Sequence, residues 1–112
     1  MPRQPRLDVP GLLHHVMARG IEGREIFRLN KERDEFLERL ADMVNEKGGP
    51  DLYAWALMSN HFHLLLRPAE THLATLMQRL MTAHALNFNK RHKRTGHLFQ
   101  NSESQGDAPV IL

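Results

Sequence analysis

The stretch at residues 53–67, Tyr-Ala-Trp-Ala-Leu-Met-Ser-Asn-His-Phe-His-Leu-Leu-Leu-Arg, constrains the fold of this chain more than any other. Two short apolar runs flank Ser59-Asn60, a pair with turn chemistry, which predicts a β-hairpin whose second arm opens with His61-Phe62-His63. Side chains alternate along a strand, so His61 and His63 emerge on one face and Phe62 on the other. With a two-residue loop, Met58 falls opposite His61, Ala56 opposite His63 and Ala54 opposite Leu65, and cross-strand partners share a face. Two alanines then line the histidine face and leave room for a ligand. Tyr53, Trp55, Leu57, Phe62, Leu64 and Leu66 form a bulky opposite face suited to a core. Paired imidazoles can chelate a metal. They can equally be two partly exposed strand histidines with no ligand, because a metal site needs further ligands and a second shell.

A chain of 112 residues supports one small domain with a modest core. A hydrophobic share of 41% with 25% charged residues fits a globular protein and argues against global disorder. The absence of cysteine excludes disulfides, thiolate nucleophiles and cysteine-based zinc sites, so any metal must use histidine, carboxylate or amide ligands. There is no long apolar segment and no signal-peptide pattern near Met1, which predicts a cytoplasmic location and no membrane partner. The net charge of +2 says little, but its distribution says more. Acidic residues crowd positions 32–46, whereas Lys90, Arg91, Lys93 and Arg94 form a basic run around His92, with His97 just beyond. Arg3, Arg6 and Arg19 add cations near the start. Such a run is either a solvated helix end, where the helix dipole favours cations, or a patch that binds phosphate.

Residues 1–11 carry three prolines and no periodicity, and read as an extended lead-in. The apolar run from Leu12 to Gly20 has strand length. His14 and His15 point to opposite faces there, so at most one can approach the histidine face, and as a pair they read as structural. Asn30 is placed to cap a helix with Glu32 and Asp34 in its first turn. Phe36, Leu37, Leu40, Met43 and Val44 give that helix an apolar stripe, and Gly48-Gly49-Pro50 ends it. Thr71 can cap a second helix in which Leu73, Leu76, Met77, Leu80, Met81, His84 and Phe88 keep helical spacing. This helix is expected to reach about Arg94, with Gly96 beyond its end. The order strand, helix, strand, strand, helix, with a final strand expected, predicts an α+β fold. Its plan is a ferredoxin-like antiparallel sheet with both helices on one face.

The phrase Trp-Ala-Leu-Met-Ser-Asn-His-Phe-His-Leu-Leu-Leu at residues 55–66 closely resembles the signature of the REP-associated tyrosine transposases. These are a branch of the insertion-sequence-two-hundred-like family of single-strand DNA transposases, whose hallmark is a His-hydrophobic-His (HUH) metal motif. His15-Val16-Met17-Ala18-Arg19-Gly20 looks like the first strand of that family. Gly96-His97-Leu98-Phe99-Gln100-Asn101 resembles its phrase leading into a basic strand near the DNA. The likeness covers residues 1–101 as an incomplete HUH domain and leaves residues 102–112 as an unrelated tail.

This resemblance implies that His61 and His63 hold a divalent cation, Mg²⁺ or Mn²⁺, and that DNA is the partner, single-stranded or hairpin. Arg19, Lys90, Arg91, Lys93, Arg94 and His97 are the candidate DNA-binding residues, and the family allows a homodimer. In relatives a later helix bears the nucleophilic tyrosine and commonly a third polar metal ligand. Here no tyrosine follows Tyr53, which hairpin parity places on the face opposite the histidines. The expected function is therefore that of a metal-dependent transposase by ancestry, truncated or frame-shifted and without its catalytic tyrosine. Two other classes stay open: a hairpin-binding DNA module without chemistry, and a metal-dependent hydrolase or metal-binding protein that uses His61 and His63 with a carboxylate. The last lacks a His-Glu-x-x-His or comparable helical ligand pair.

Overall fold

The computed structural model describes residues 11–100 and the short strand at residues 110–111. Most of the lead-in, including Arg3 and Arg6, lies outside these described residues. The chain runs β1 (His14–Arg19), a single 3₁₀ turn (Ile21–Gly23), α1 (Asn30–Asn45), β2 (Asp51–Leu57), β3 (His61–Arg67), α2 (Leu73–His92) and β4 (Val110–Ile111). All strand pairs are antiparallel and the sheet order is β2-β3-β1-β4, the ferredoxin-like arrangement. The hairpin keeps the register its two-residue turn dictates: Ala56 pairs with His63, Ala54 with Leu65, and the Met58 N–H donates to the His61 carbonyl at 2.8 Å.

Alternation along β1 and β3 builds the core on one face. Val16, Ala18, Phe62, Leu64 and Leu66 are buried there against the apolar stripes of both helices. All five phenylalanines of the chain, Phe27, Phe36, Phe62, Phe88 and Phe99, are fully buried. Phe36 bridges the layers, with its ring centroid 5.3 Å from that of Phe27 and 4.9 Å from that of Phe62. Each such side chain stabilises the fold by roughly 1.5–3 kcal/mol through burial alone. Gly20 ends β1 where the chain turns sharply. A Cβ there would lie 2.0 Å from the Arg24 carbonyl oxygen, so no side chain fits.

Two expectations about β2 are corrected. Tyr53 and Trp55 do not join the core; they are 51% and 53% exposed. Trp55 shares a face with its partner Leu64, but β2 is an edge strand and none of its residues is fully buried. Tyr53 is displaced by a β-bulge. Leu52 pairs with Leu66 and Ala54 with Leu65, which leaves Tyr53 as an extra residue opposite none. The bulge turns Leu52 to the core face, where it packs against the buried cluster. The Tyr53 ring lies instead under the Arg67 guanidinium, 5.3 Å from the ring centroid.

The helix starts also differ from expectation. Asn30 lies inside α1, and the cap comes from Glu32, whose carboxylate accepts from the backbone N–H groups of Arg28 (2.7 Å) and Leu29 (3.0 Å). The cap position of α2 is His72, not Thr71. At its other end α2 stops at His92, with Lys93 left-handed at φ 54° and the Arg94 N–H donating to the Asn89 carbonyl. After α2 the chain returns along the outer edge of β1. Phe99 bridges Gly20, the Gln100 N–H donates to the Arg19 carbonyl at 2.8 Å, and β4 then pairs with Val16 and Met17. The fourth strand is thus supplied from within residues 102–112, which the sequence alone sets apart as a tail.

Candidate functional site

The face of the sheet opposite the helices carries the histidines. His61 and His63 sit two apart on β3 with ring centroids 5.1 Å from each other and planes at 84°. The neighbouring strand fixes what lies beside them. In the β1–β3 ladder Arg19 is opposite His61 and Met17 opposite His63, so both share the histidine face. Gln100, aligned with Arg19 by its backbone hydrogen bond, completes an open cleft of about 450 Å³ lined by Met17, Arg19, Asn60, His61, His63 and Gln100, together with Gly23. A second depression of about 230 Å³ adjoins it, with Ala54, Ala56 and Leu65 beside His15 and His63. The small side chains of β2 do leave space on this face.

β1 also contributes a third imidazole. His14 is buried on the core side, and His15 projects to the open face, where its Nε2 lies 3.0 Å from His63 Nδ1. Asn60 at the turn sets its Oδ1 2.8 Å from His61 Nδ1. The Asn60 carbonyl accepts from the Gly20 N–H at 2.8 Å, which ties this turn to the end of β1. Burial, followed by the neighbouring His61 and His15, lowers the pKa of His63, so the ring is a neutral lone-pair donor near neutral pH. Two imidazoles on an open, partly polar cleft fit a weakly held divalent cation. Among the described residues no group of three histidine, cysteine or carboxylate side chains is arranged to hold one. Remaining coordination positions would fall to water, to an amide such as Gln100 or to substrate oxygen.

The basic run lies elsewhere. None of Lys90, Arg91, Lys93, Arg94 or His97 lines the cleft. Arg91 pairs with Glu35 at 2.9 Å and approaches Glu32 at 3.4 Å, binding α2 to α1. His92 also pairs with the buried Glu32. Arg94 closes the helix end, donating to Asn89 Oδ1 at 2.6 Å and to the His97 carbonyl at 3.1 Å. Lys90 and Lys93 are exposed. Of the candidate cations, then, only Arg19 stands with the histidines. Local sequence does not mark Asn60, His15 or Gln100 as members of the site. Parity leaves open which of His14 and His15 meets β3, and nothing local reveals that Gln100 aligns with Arg19.

A ferredoxin-like sheet that presents a His-x-His pair and an arginine on its open face is a domain equipped to meet a phosphate-bearing ligand. The family described as Transposase IS200 like matches residues 8–104, and the chain belongs to it. Its function is accordingly of the transposase type, with DNA as partner. The fold agrees with a crystal structure of a candidate transposase from Deinococcus radiodurans R1. The likeness has a TM-score of 0.66 at 20% identity and spans 99% of this chain and 85% of that one. No curated protein matches the chain. Among the described residues no helix is long and apolar enough to cross a membrane.

Proposed function

We propose that this chain is a DNA-binding domain of the REP-associated branch that engages single-stranded or hairpin DNA with a divalent cation, Mg²⁺ or Mn²⁺, held by His61 and His63. The observation that carries this reading is the juxtaposition of His61, His63 and Arg19 on one open face. When bound, the cation would polarise a backbone phosphate and stabilise charge developing on its oxygens. Arg19 neutralises the same phosphate or its neighbour and positions the strand across the cleft. The phrases at residues 15–20, 55–66 and 96–101 support the assignment to this branch.

The chain on its own forms no phosphotyrosine. Tyr53 is the one tyrosine in the sequence, and it sits beside Arg67, four residues along β3 from His63 and roughly 13 Å away by strand rise. A nucleophile must lie within near-attack distance. The reading is tested by titrating the protein with Mn²⁺ and with labelled hairpin, single-stranded and duplex DNA, in parent and His61→Ala/His63→Ala forms. The double variant should lose Mn²⁺ binding, and the parent should prefer hairpin or single-stranded DNA. Equal Mn²⁺ affinity in both forms would place the cation elsewhere, and a preference for duplex would remove the single-strand reading.

A further inference from the structure

We propose that Asn60 and His15 are positioning residues: Asn60 fixes the tautomer of His61, and His15 accepts from His63 once a cation binds, so that both rings present an Nε2 lone pair to one cation. This rests on the reading that His61 and His63 hold the cation, and it adds what makes two bare imidazoles competent to do so.

An imidazole has two nitrogens, and in the neutral ring only one carries hydrogen. A ring with its hydrogen on the wrong nitrogen cannot bind metal through the atom that faces it, so an unassisted pair is often wrongly set. Asn60 Oδ1 lies 2.8 Å from His61 Nδ1 and can only accept, so His61 Nδ1 must carry the hydrogen and leave Nε2 free. At His63 the partner is another imidazole, with His15 Nε2 3.0 Å from His63 Nδ1. If His15 donated, neutral His63 would keep its own hydrogen on Nε2 and have no lone pair to offer there. If His63 donates, Nε2 is free and His15 carries its hydrogen on Nδ1. A cation at His63 Nε2 selects the second arrangement and makes His15 the acceptor.

The fold supplies both partners from outside the motif strand. His15 pairs with Leu65 and reaches His63 along the diagonal of the β1–β3 ladder. Asn60 is held by the bond from the Gly20 N–H to its carbonyl, so the end of β1 anchors this acceptor as well. Partners of this kind set ligand orientation and basicity, and their loss typically weakens metal binding about 10- to 100-fold.

The test measures Mn²⁺ affinity of the full chain by calorimetry and electron paramagnetic resonance, and imidazole ¹⁵N shifts by long-range correlation NMR. His15→Ala and Asn60→Ala should each weaken Mn²⁺ by about 10- to 100-fold. His15→Gln and Asn60→Asp, which restore an acceptor oxygen, should recover most of that loss. In the parent, the metal-free ¹⁵N spectrum should show His61 as the Nδ1–H form, and the Zn²⁺-loaded spectrum should show His63 likewise. If the alanine variants bind Mn²⁺ as the parent does while His61→Ala/His63→Ala does not, the positioning role is overturned and the metal reading stands. If His61→Ala/His63→Ala also binds Mn²⁺ normally, the metal reading itself falls. A His61 hydrogen found on Nε2, or three bound imidazole nitrogens in the Mn²⁺ spectrum, would overturn the assignment even if a variant failed to fold.

Discussion

Arg19 and His61 are direct cross-strand partners at the end of the β1–β3 ladder, so a permanent cation stands beside the histidine pair on the same face of the sheet. On the proposed reading, a phosphate drawn to Arg19 would thereby be brought to the imidazoles. Arg19→Ala should lower the slope of log affinity against log salt by about one, since one phosphate contact and its released counterion are lost. Mn²⁺ affinity should not fall, because loss of the neighbouring guanidinium removes a repulsive charge. Titrations of hairpin DNA over a range of salt measure this, and an unaltered slope would take Arg19 out of the interface.

The cations of α2 divide by what they already touch. Arg91 is occupied by Glu35 and Glu32, and its hydrogen bonds, with its charge, hold the Glu35 carboxyl below the usual range. Lys90 and Lys93 are exposed. Replacing both lysines with alanine should weaken DNA binding and leave the melting temperature unchanged. Arg91→Ala should lower the melting temperature and reduce affinity little beyond that. Melting curves run beside binding titrations separate these effects, and an Arg91→Ala protein as stable as the parent would refute the helix-linking role.

Stability should fall towards acid in two stages. Burial lowers the pKa of His84, whose Nε2–H donates to the Ile26 carbonyl at 2.7 Å; Arg39 acts in the same sense, while Glu32 and Glu35 oppose it. The unfolded chain therefore binds this proton more readily, and stability declines as pH drops below the ordinary value of 6.5. Glu32 follows at lower pH. Burial alone would raise its pKa, but the N–H groups of Arg28 and Leu29 and the His92 ring outweigh it and hold the carboxyl below its ordinary 4.5. That contribution is present above 4.5 and is lost as pH falls through the folded value. Melting temperatures across the range should show both declines, and His84→Gln should reduce the first, leaving the part that His63, whose pKa is lowered as well, contributes. A first decline of undiminished size in that variant would assign it to another group.

Glu32 also has a structural cost of its own. It is 1% exposed and joins the start of α1 to the end of α2. Glu32→Ala strips a helix cap and leaves part-buried donors without their carboxylate, which should cost about 1–3 kcal/mol in chemical unfolding. A loss well under about 1 kcal/mol would mean that water replaces the carboxylate at this site.

Tyr53 should remain unmodified when the protein is incubated with labelled hairpin DNA and Mn²⁺. Parity in an unbroken hairpin puts this residue on the core side; the bulge instead leaves its ring exposed beneath Arg67. The expected outcome survives for a different reason, separation along β3. A denaturation-resistant adduct mapped to Tyr53 by mass spectrometry would contradict it.

Much of this architecture is written locally. Alternation in residues 61–66 and the Ser59-Asn60 turn determine the hairpin register and the shared face of His61 and His63, because strand periodicity and a two-residue loop leave one solution. The stripe from Leu73 to Phe88 likewise determines α2, and every apolar residue named in it is buried. Tertiary pairing decided the remainder. Whether His14 or His15 meets the motif depends on how β1 registers against β3, a relation between segments more than 40 residues apart that no local pattern encodes. The same pairing puts Arg19 opposite His61, and the return of the chain along β1 brings Gln100 to the cleft. The basic run looked like one patch because its charges are adjacent in sequence. Folding gave Arg91 to the carboxylates of α1 and Arg94 to the helix end, since charges near a packed helix pair find internal partners before they meet a ligand.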